Sequence, residues 1–265
     1  MRRLLAALAL CLAAPAALRA QEEVPFVVTP DNVTLAMLQM AQVGPQDFVL
    51  DLGSGDGRIV ILAARRFGAR GLGVEIVPDL VERSRRNAAQ AGVADRATFA
   101  VQDLFKTDLS QATVITLYLL QEVNLQLRPA LLALRPGTRI VSHDWDMGDW
   151  RPDRSLTVDA PDKPVGREKL SRLHLWVVPA RAEGSWCGGI SPYGARLQLT
   201  QRYQVFEATL STGEEARLLA GRIEGERLRA AGGLEAVLQD GRLRITQAGD
   251  VPARLLGAAF ERCAG

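Results

Sequence analysis

The sequence predicts an α/β protein in which a doubly wound, mostly parallel sheet is followed by a small antiparallel β domain. Three observations carry this. Apolar, strand-like runs alternate with amphipathic helical segments as far as Val178, the rhythm of parallel strands joined by crossover helices. Acids stand at or just beyond the carboxyl ends of the first three strands, at Asp51, Glu75 and Asp103, where such sheets gather their ligands. Beyond Arg181 the periodicity changes to two, between Gly- and Asp-containing turns, the mark of an antiparallel meander.

The ends of the chain bear on compartment. With 265 residues and a formal charge of +2, there is room for one full α/β domain and a smaller module. Met1-Arg2-Arg3, an apolar run from Leu4 to Leu18, and small or polar residues at Ala20-Gln21 read as a secretory signal over residues 1–20. That run is shorter than the roughly 20 residues that cross a bilayer, and Pro15 interrupts it. Cleavage and export to the periplasm are therefore expected, with no permanent membrane span; the alternative is an uncleaved N-terminal anchor. Leu10 is too large a neighbour for lipid attachment at Cys11. Loss of residues 1–20 removes Arg2, Arg3 and Arg19 and no acid, taking the charge from +2 to −1, so no basic footprint for nucleic acid is expected. It also leaves Cys187 and Cys263, a disulfide candidate in an oxidising compartment, or else two small buried thiols.

The elements follow in order. Val24-Pro-Phe-Val-Val-Thr-Pro30 is extended and leads into a helix with Val33, Leu35, Met37, Leu38 and Ala41 on its apolar face; Gly44-Pro45 ends it. A strand at Phe48–Leu50 runs into a glycine turn, a helix follows to Phe67, and Gly71–Ile76 is the second strand. Next come a helix over Pro78–Ala91, a strand at Ala97–Val101, a strand at Ala112–Leu119 and a helix from Gln121 to Leu134. Thr138–Ser142 is a further strand, and Leu170–Val178 closes the sheet as an antiparallel one. This first domain spans 21–180. From 181 to 265, short alternating runs such as Ala195–Gln201, Tyr203–Leu210, Ala216–Ile223, Leu234–Leu238 and Arg242–Thr246 predict a small β-sandwich or barrel. That module has no catalytic constellation, and a structural or partner-binding role is expected of it.

The chemistry concentrates in Asp51-Leu-Gly-Ser-Gly-Asp-Gly57. Glycine lets backbone approach a ligand, and the following helix offers unpaired N–H groups. The pattern D-x-G-x-G-x-G lacks the Lys-Ser/Thr of a phosphate loop and departs from the dinucleotide form G-x-G-x-x-G. The two histidines, His143 and His174, make no H-x-x-x-H, and there is no C-x-x-C, so no metal is expected. Asn/Asp-Pro-Pro-Tyr/Phe, a motif that holds flipped bases, is also missing. Taken singly, Asp51, Glu75 and Asp103 could each be turn or capping acids.

Taken together, Asp51-Leu-Gly-Ser-Gly-Asp-Gly57, Glu75 and Asp103 resemble the class I S-adenosylmethionine-dependent methyltransferases over residues 24–178. Val24-Pro-Phe…Thr29-Pro30, Asp51–Val60 and Val141-Ser-His-Asp-Trp-Asp-Met-Gly-Asp-Trp150 are similar, more narrowly, to bacterial and archaeal relatives of the ATP-synthase c-subunit lysine methyltransferases. The resemblance implies a seven-stranded, Rossmann-like methyltransferase sheet and S-adenosyl-L-methionine as cofactor. It implies cofactor binding by Thr29, Asp51, Gly53, Ser54, Gly55, Gly57, Glu75 and Asp103, with Glu75 at the ribose hydroxyls, Asp103 at the adenine amino group and Asp51 orienting the loop or meeting the amino group of the methionine part. The acceptor would be a protein lysine or a small molecule, its channel lined by Tyr118, Gln121, Glu122 and Asn124 after the fourth strand. Asp144, Asp146 and Asp149, with Trp145 and Trp150, either wall the substrate mouth or cover the sheet edge. The competing reading is a non-catalytic exported binding module that keeps the fold.

Overall fold

A computed structural model describes residues 26–190, 193–213 and 215–263; the leader read as a signal, Cys11 included, lies outside the described residues. The first part of the chain runs α1 (Asp31–Met40), β1 (Phe48–Leu52), α2 (Arg58–Phe67), β2 (Arg70–Glu75), α3 (Pro78–Gln90), β3 (Ala97–Val101), β4 (Val114–Leu117), α4 (Gln121–Leu132), β5 (Arg139–His143), β6 (Arg154–Asp159) and β7 (Leu170–Val177). Its strands form one seven-stranded sheet in the order β3-β2-β1-β4-β5-β7-β6. The first five are parallel; β7 pairs antiparallel with β5, and β6 with β7. The strand order reverses between β1 and β4, and the crevice that opens there lies at the carboxyl end of β1.

Each face of the sheet is buried by helices. On one, Val33, Met37 and Leu38 of α1 pack with Val49, Val141, Leu173 and Leu175. On the other, Leu50, Leu52, Ile115, Leu117 and Ile140 meet Leu127 and Leu131 of α4, and Trp150 and Trp176 complete the cluster. Every residue of β4 is buried, as befits a central parallel strand. The fourth strand is shorter than its apolar run, so Tyr118 and Leu119 lie beyond its end. Sequence reading did not find β6. It is an edge strand with five of its six residues exposed, so no inward face marks it with alternation.

The remainder folds as β8 (Gly184–Ile190), β9 (Tyr193–Arg202), β10 (Val205–Thr212), β11 (Glu215–Glu224), β12 (Arg227–Ala230), β13 (Glu235–Gln239), β14 (Arg242–Gln247) and β15 (Ala259–Arg262). These close into an eight-stranded antiparallel barrel, one of the two shapes expected. Its interior is filled by Leu199, Phe206, Leu228, Leu243, Ile245 and Phe260, with Trp186 at one end, so among the described residues it is a packed core with no ligand-sized lumen. β12 went unread because it is short, and β8 and β15 were expected only as the module's first and last strands, without bounds, because one is glycine-rich and the other short. Glycine is required in one of these pairings: a Cβ on Gly188 would lie 2.1 Å from the Ala259 carbonyl oxygen. Cys187 and Cys263 are joined as a disulfide, Cα atoms 5.0 Å apart, which ties β8 to the chain leaving β15.

Candidate active site

At the end of β1 the Asp51 carboxylate is 2% exposed and accepts a 2.7 Å hydrogen bond from the Thr116 hydroxyl of β4. Burial raises its pKa to about 7; the Thr116 bond opposes the rise, and the nearby Glu75 and Asp56 carboxylates add to it. The chain then turns through Gly53, Gly55 and Gly57, all left-handed (φ 78°, 54° and 81°), a region costly for any residue with a Cβ. Two hooks hold this turn against β2: the Gly53 and Ser54 amides donate to the Val74 carbonyl at 2.9 and 3.0 Å. A third joins it to the next acid, since the Gly55 amide donates to Glu75 Oε2 at 3.1 Å.

Glu75 Oε1 accepts from the Ile76 and Val77 amides at 2.8 and 3.1 Å. Three backbone donors therefore orient one carboxylate beside the glycine turn. Asp103 accepts from the Phe105 amide at 2.9 Å and pairs with Lys106 at 3.3 Å, holding its carboxyl below the usual range. Four apolar side chains stand unusually open around these two acids: Ile76, Val77, Val101 and Phe105, between 37% and 61% exposed. Apolar walls flanking a pair of oriented carboxylates suit a flat heterocycle carrying a ribose. The buried Ser54 hydroxyl has no partner among the described residues, an orphan of the sort a ligand satisfies.

Sequence reasoning overlooked the lock on this cradle. Arg58 Nη2 pairs with Asp56 at 2.8 Å, while its Nη1 reaches the Thr29 carbonyl at 2.8 Å and Asp31 at 3.1 Å. The segment before α1 is thereby fastened to the glycine turn, and the Phe26 ring lies over Gly55, where a Cβ would come within 2.1 Å of it. The Asp56-Gly-Arg58 spacing was visible, but an exposed arginine at a helix start reads as solvated.

On the acceptor side the Tyr118 ring stacks on the imidazole of His143, centroids 3.9 Å apart. His143 is wholly buried, with Nε2 2.8 Å from the Ser171 hydroxyl and Nδ1 3.5 Å from that of Thr29. Burial pushes it down to about 4, against the pull of the Asp144 carboxylate, so the ring is neutral at pH 7. Burial, and secondarily Asp144, pushes the Tyr118 phenol up to about 12, so it stays protonated. Asp144 adopts φ 64° and pairs with the nearly buried Lys163 ammonium at 2.6 Å. Lys163 lies on the β6–β7 connection, far away in sequence, and nothing in its surroundings announced it.

The acceptor residues read from sequence fall into different places. Tyr118 lies at the strand end beside the cradle, and Glu122 is exposed on the first turn of α4. Asn124 is wholly buried and lines no open channel: its amide donates to Ser142 Oγ and the Trp145 carbonyl, both at 3.2 Å, so it holds the loop after β5. Thr29 has its hydroxyl 3.5 Å from His143 Nδ1 and its carbonyl on Arg58, next to the glycine turn. The Asp/Trp group divides. Trp145 is 41% exposed at the mouth, whereas Trp150 is fully buried on the sheet.

Against known proteins, a family model described as the ANTKMT methyltransferase domain matches residues 51–154. A protein-lysine N-methyltransferase of Saccharolobus islandicus is 42% identical over 138 residues, 51% of this chain and 86% of that protein. The chain belongs to this methyltransferase family. The mouse lysine N-methyltransferase of the ATP-synthase c-subunit is 37% identical over 136 residues, 49% of this chain and 55% of that protein; the methyltransferase thus spans about half the length of that relative. Among solved structures, one described as an RNA methyltransferase from Salinibacter ruber in complex with S-adenosyl-L-homocysteine is 52% identical, covering 58% of this chain and 95% of that one, with a TM-score of 0.53. The methyltransferase uses S-adenosylmethionine, and the matched domain model lies wholly ahead of the barrel.

Proposed function

We propose that this enzyme methylates a protein lysine and does so after export. The observation that carries the lysine reading is the 42% identity to a protein-lysine N-methyltransferase along 86% of its length, joined to two acids at the mouth, Glu122 and Asp146, near the ends of β4 and β5; Asp144 beside them is already paired with Lys163. Such a mouth draws in an ammonium and repels phosphate.

Bound S-adenosylmethionine supplies a methyl group on a sulfonium, which transfers by in-line displacement to a neutral amine. Glu75, oriented by three amides, would accept from the ribose hydroxyls, Asp103 from the adenine amino group, and Ser54 would gain its missing partner. Gly53, Gly55 and Gly57 would pass close to the methionine part, while Asp51, once ionised, would oppose its positive charge. Lysine ordinarily titrates near 10.4, so the acceptor must give up a proton to solvent before attack. Tyr118, protonated and held flat on His143, aligns the amine; Glu122 would attract it. Asn124 and Thr29 would act by supporting the Trp145 loop and the His143 ring.

Export is supported by the leader at residues 1–20 and by the Cys187–Cys263 bond, which persists in oxidising compartments. Among the described residues no helix is long and apolar enough to cross a membrane. An RNA acceptor is the second reading, favoured by the description of the Salinibacter ruber structure. Incubation of the mature chain with methyl-labelled cofactor and either envelope proteins or total RNA separates the two. Label on lysine of a defined protein band is expected. Label confined to RNA overturns the lysine reading, and a full-length chain retained in the cytosol overturns export.

A further inference from the structure

The barrel does not hang on a flexible tether. Ala180 and Ala182 of the connecting segment are buried; the Ala180 amide donates to Gly225 at 2.7 Å, and the Gln201 side chain bonds Ala180 O and the Ala182 amide at 2.9 and 2.7 Å. At the interface a Cβ on Gly225 would come within 3.3 Å of the Gly137 Cα, so the two backbones touch. The β9–β10 hairpin projects Arg202, Tyr203 and Gln204 onto the loop that leaves β5.

That loop has two halves. The near half, Asp144–Asp146, borders Tyr118 and His143 and is held by α4 through Asn124 and through Gln121, which donates to Asp146 at 2.7 Å. The far half turns at Gly148, where Met147 and Trp150 form an isolated bridge. At its tip one Asp149 oxygen accepts from Arg202 at 2.9 Å and from the Tyr203 hydroxyl at 3.1 Å, while the other binds Arg128 of α4. The Tyr203 ring faces Trp150 at 6.1 Å, and the Arg128 guanidinium lies 5.8 Å from its centroid. Gln204 donates to the Arg151 carbonyl, and Arg222 of β11 pairs with Asp153 at 2.8 Å. Five barrel–loop contacts therefore converge on residues 149–153, and one side chain, Asp149, is shared between the barrel and α4.

We infer that the barrel is a positioning element for the acceptor wall: Arg202 and Tyr203, acting through Asp149, set the 144–153 loop and with it Trp145 at the mouth. This rests on the methyltransferase reading for its catalytic consequence but not for its structural one. Because the cofactor cradle is built from β1, β2 and β3, the coupling is selective for the acceptor. The barrel thereby does for the acceptor side what the Arg58 lock does for the cofactor side.

The test uses the full mature chain and two substitutions. Arg202→Ala removes an exposed side chain outside the barrel core; Tyr203→Ala removes the ring. Thermal melts select folded samples. Poly-L-lysine serves as acceptor probe, S-adenosylhomocysteine as cofactor probe, and acrylamide quenching of tryptophan emission reports the loop, since Trp145 is exposed while Trp150, Trp176 and Trp186 are at most 1% exposed. Expected are a rise of roughly threefold to tenfold in KM for poly-lysine, in the range of couplings between networked residues, increased quenching, and unchanged cofactor affinity and kcat. Unchanged KM and quenching in both folded variants overturn the proposal, as does a cofactor affinity that falls in step with KM. Should the wild-type chain transfer nothing to lysine, the lysine reading fails, and quenching in Arg202→Ala alone decides the coupling, since Tyr203→Ala also uncovers Trp150.

Discussion

The Tyr118 ring lies on the His143 imidazole at 25° between planes, and the histidine is held on both nitrogens by Ser171 and Thr29. A phenol raised to about 12 cannot act as a base at neutral pH, but it can orient an amine. Tyr118→Phe keeps the stack and removes the hydroxyl. We expect kcat to fall about tenfold, the loss of one orienting hydrogen bond of about 0.5–1.5 kcal/mol, with cofactor affinity unchanged; initial rates and calorimetric titration check both.

Asp51 and His143 give opposite pH signatures. Asp51 is raised from 3.8 to about 7, so it contributes stability that is complete below pH 4 and lost as pH rises through 7. His143 is lowered from 6.5 to about 4, so its contribution is complete above 6.5 and lost as pH falls through 4. Between pH 4 and 6.5 the two slopes oppose each other. Melting temperature should therefore vary little across that window in the wild type, and Asp51→Asn should unmask a rise with pH. A variant that stays flat would refute the assignment.

Cofactor binding should release a proton near neutrality. A cationic ligand beside Asp51 favours its ionised form and draws its pKa back down. Affinity is then expected to increase as pH rises from 6 to 8, and calorimetry in buffers of different ionisation enthalpy should register fractional proton release at pH 7. Asp51→Asn should abolish both effects.

Glu75→Ala strips the glycine turn of the acceptor for the Gly55 amide and the ribose of its expected partner. Charged hydrogen bonds contribute about 1.5–3 kcal/mol each, so a loss of roughly tenfold to a hundredfold in cofactor affinity is expected, measured by equilibrium binding of S-adenosylhomocysteine. The fold should persist, because Glu75 lies at the end of its strand.

Reduction of the Cys187–Cys263 bond, which spans 76 residues of sequence, should cost the barrel about 4 kcal/mol on the chain-entropy account. Differential scanning calorimetry with and without reductant would show a lowered transition for the barrel. An unaltered trace would mean that packing around Trp186 and Phe260 closes the barrel unaided.

Much of this protein was legible from sequence because its signals are local. Alternating strands and helices declare a parallel sheet, and the three glycines between Asp51 and Gly57 declare a backbone that must turn left-handed next to a ligand. Glu75 and Asp103 add what the turn alone leaves open, since one ends its strand and the other lies just beyond the next. The period-two runs after 181 announced a β module without choosing between sandwich and barrel. Closure depends on β8 meeting β15, a pairing of strands too short or too glycine-rich to delimit.

Tertiary structure decided what each polar residue touches. Asn124 was read into a channel, yet the bend of the loop after β5 buries it under Trp145, and no spacing rule foretells a loop's path. Lys163 reaches Asp144 only because β6 and β7 fold back on the sheet edge. Asp149 belongs to both modules because the β9–β10 hairpin docks there, 53 residues from Arg202 along the chain. Sequence determined the fold class and the cofactor motif, whose constraints act within a few residues of backbone. The acceptor wall arises from contacts between distant segments, and only their packing brought these together.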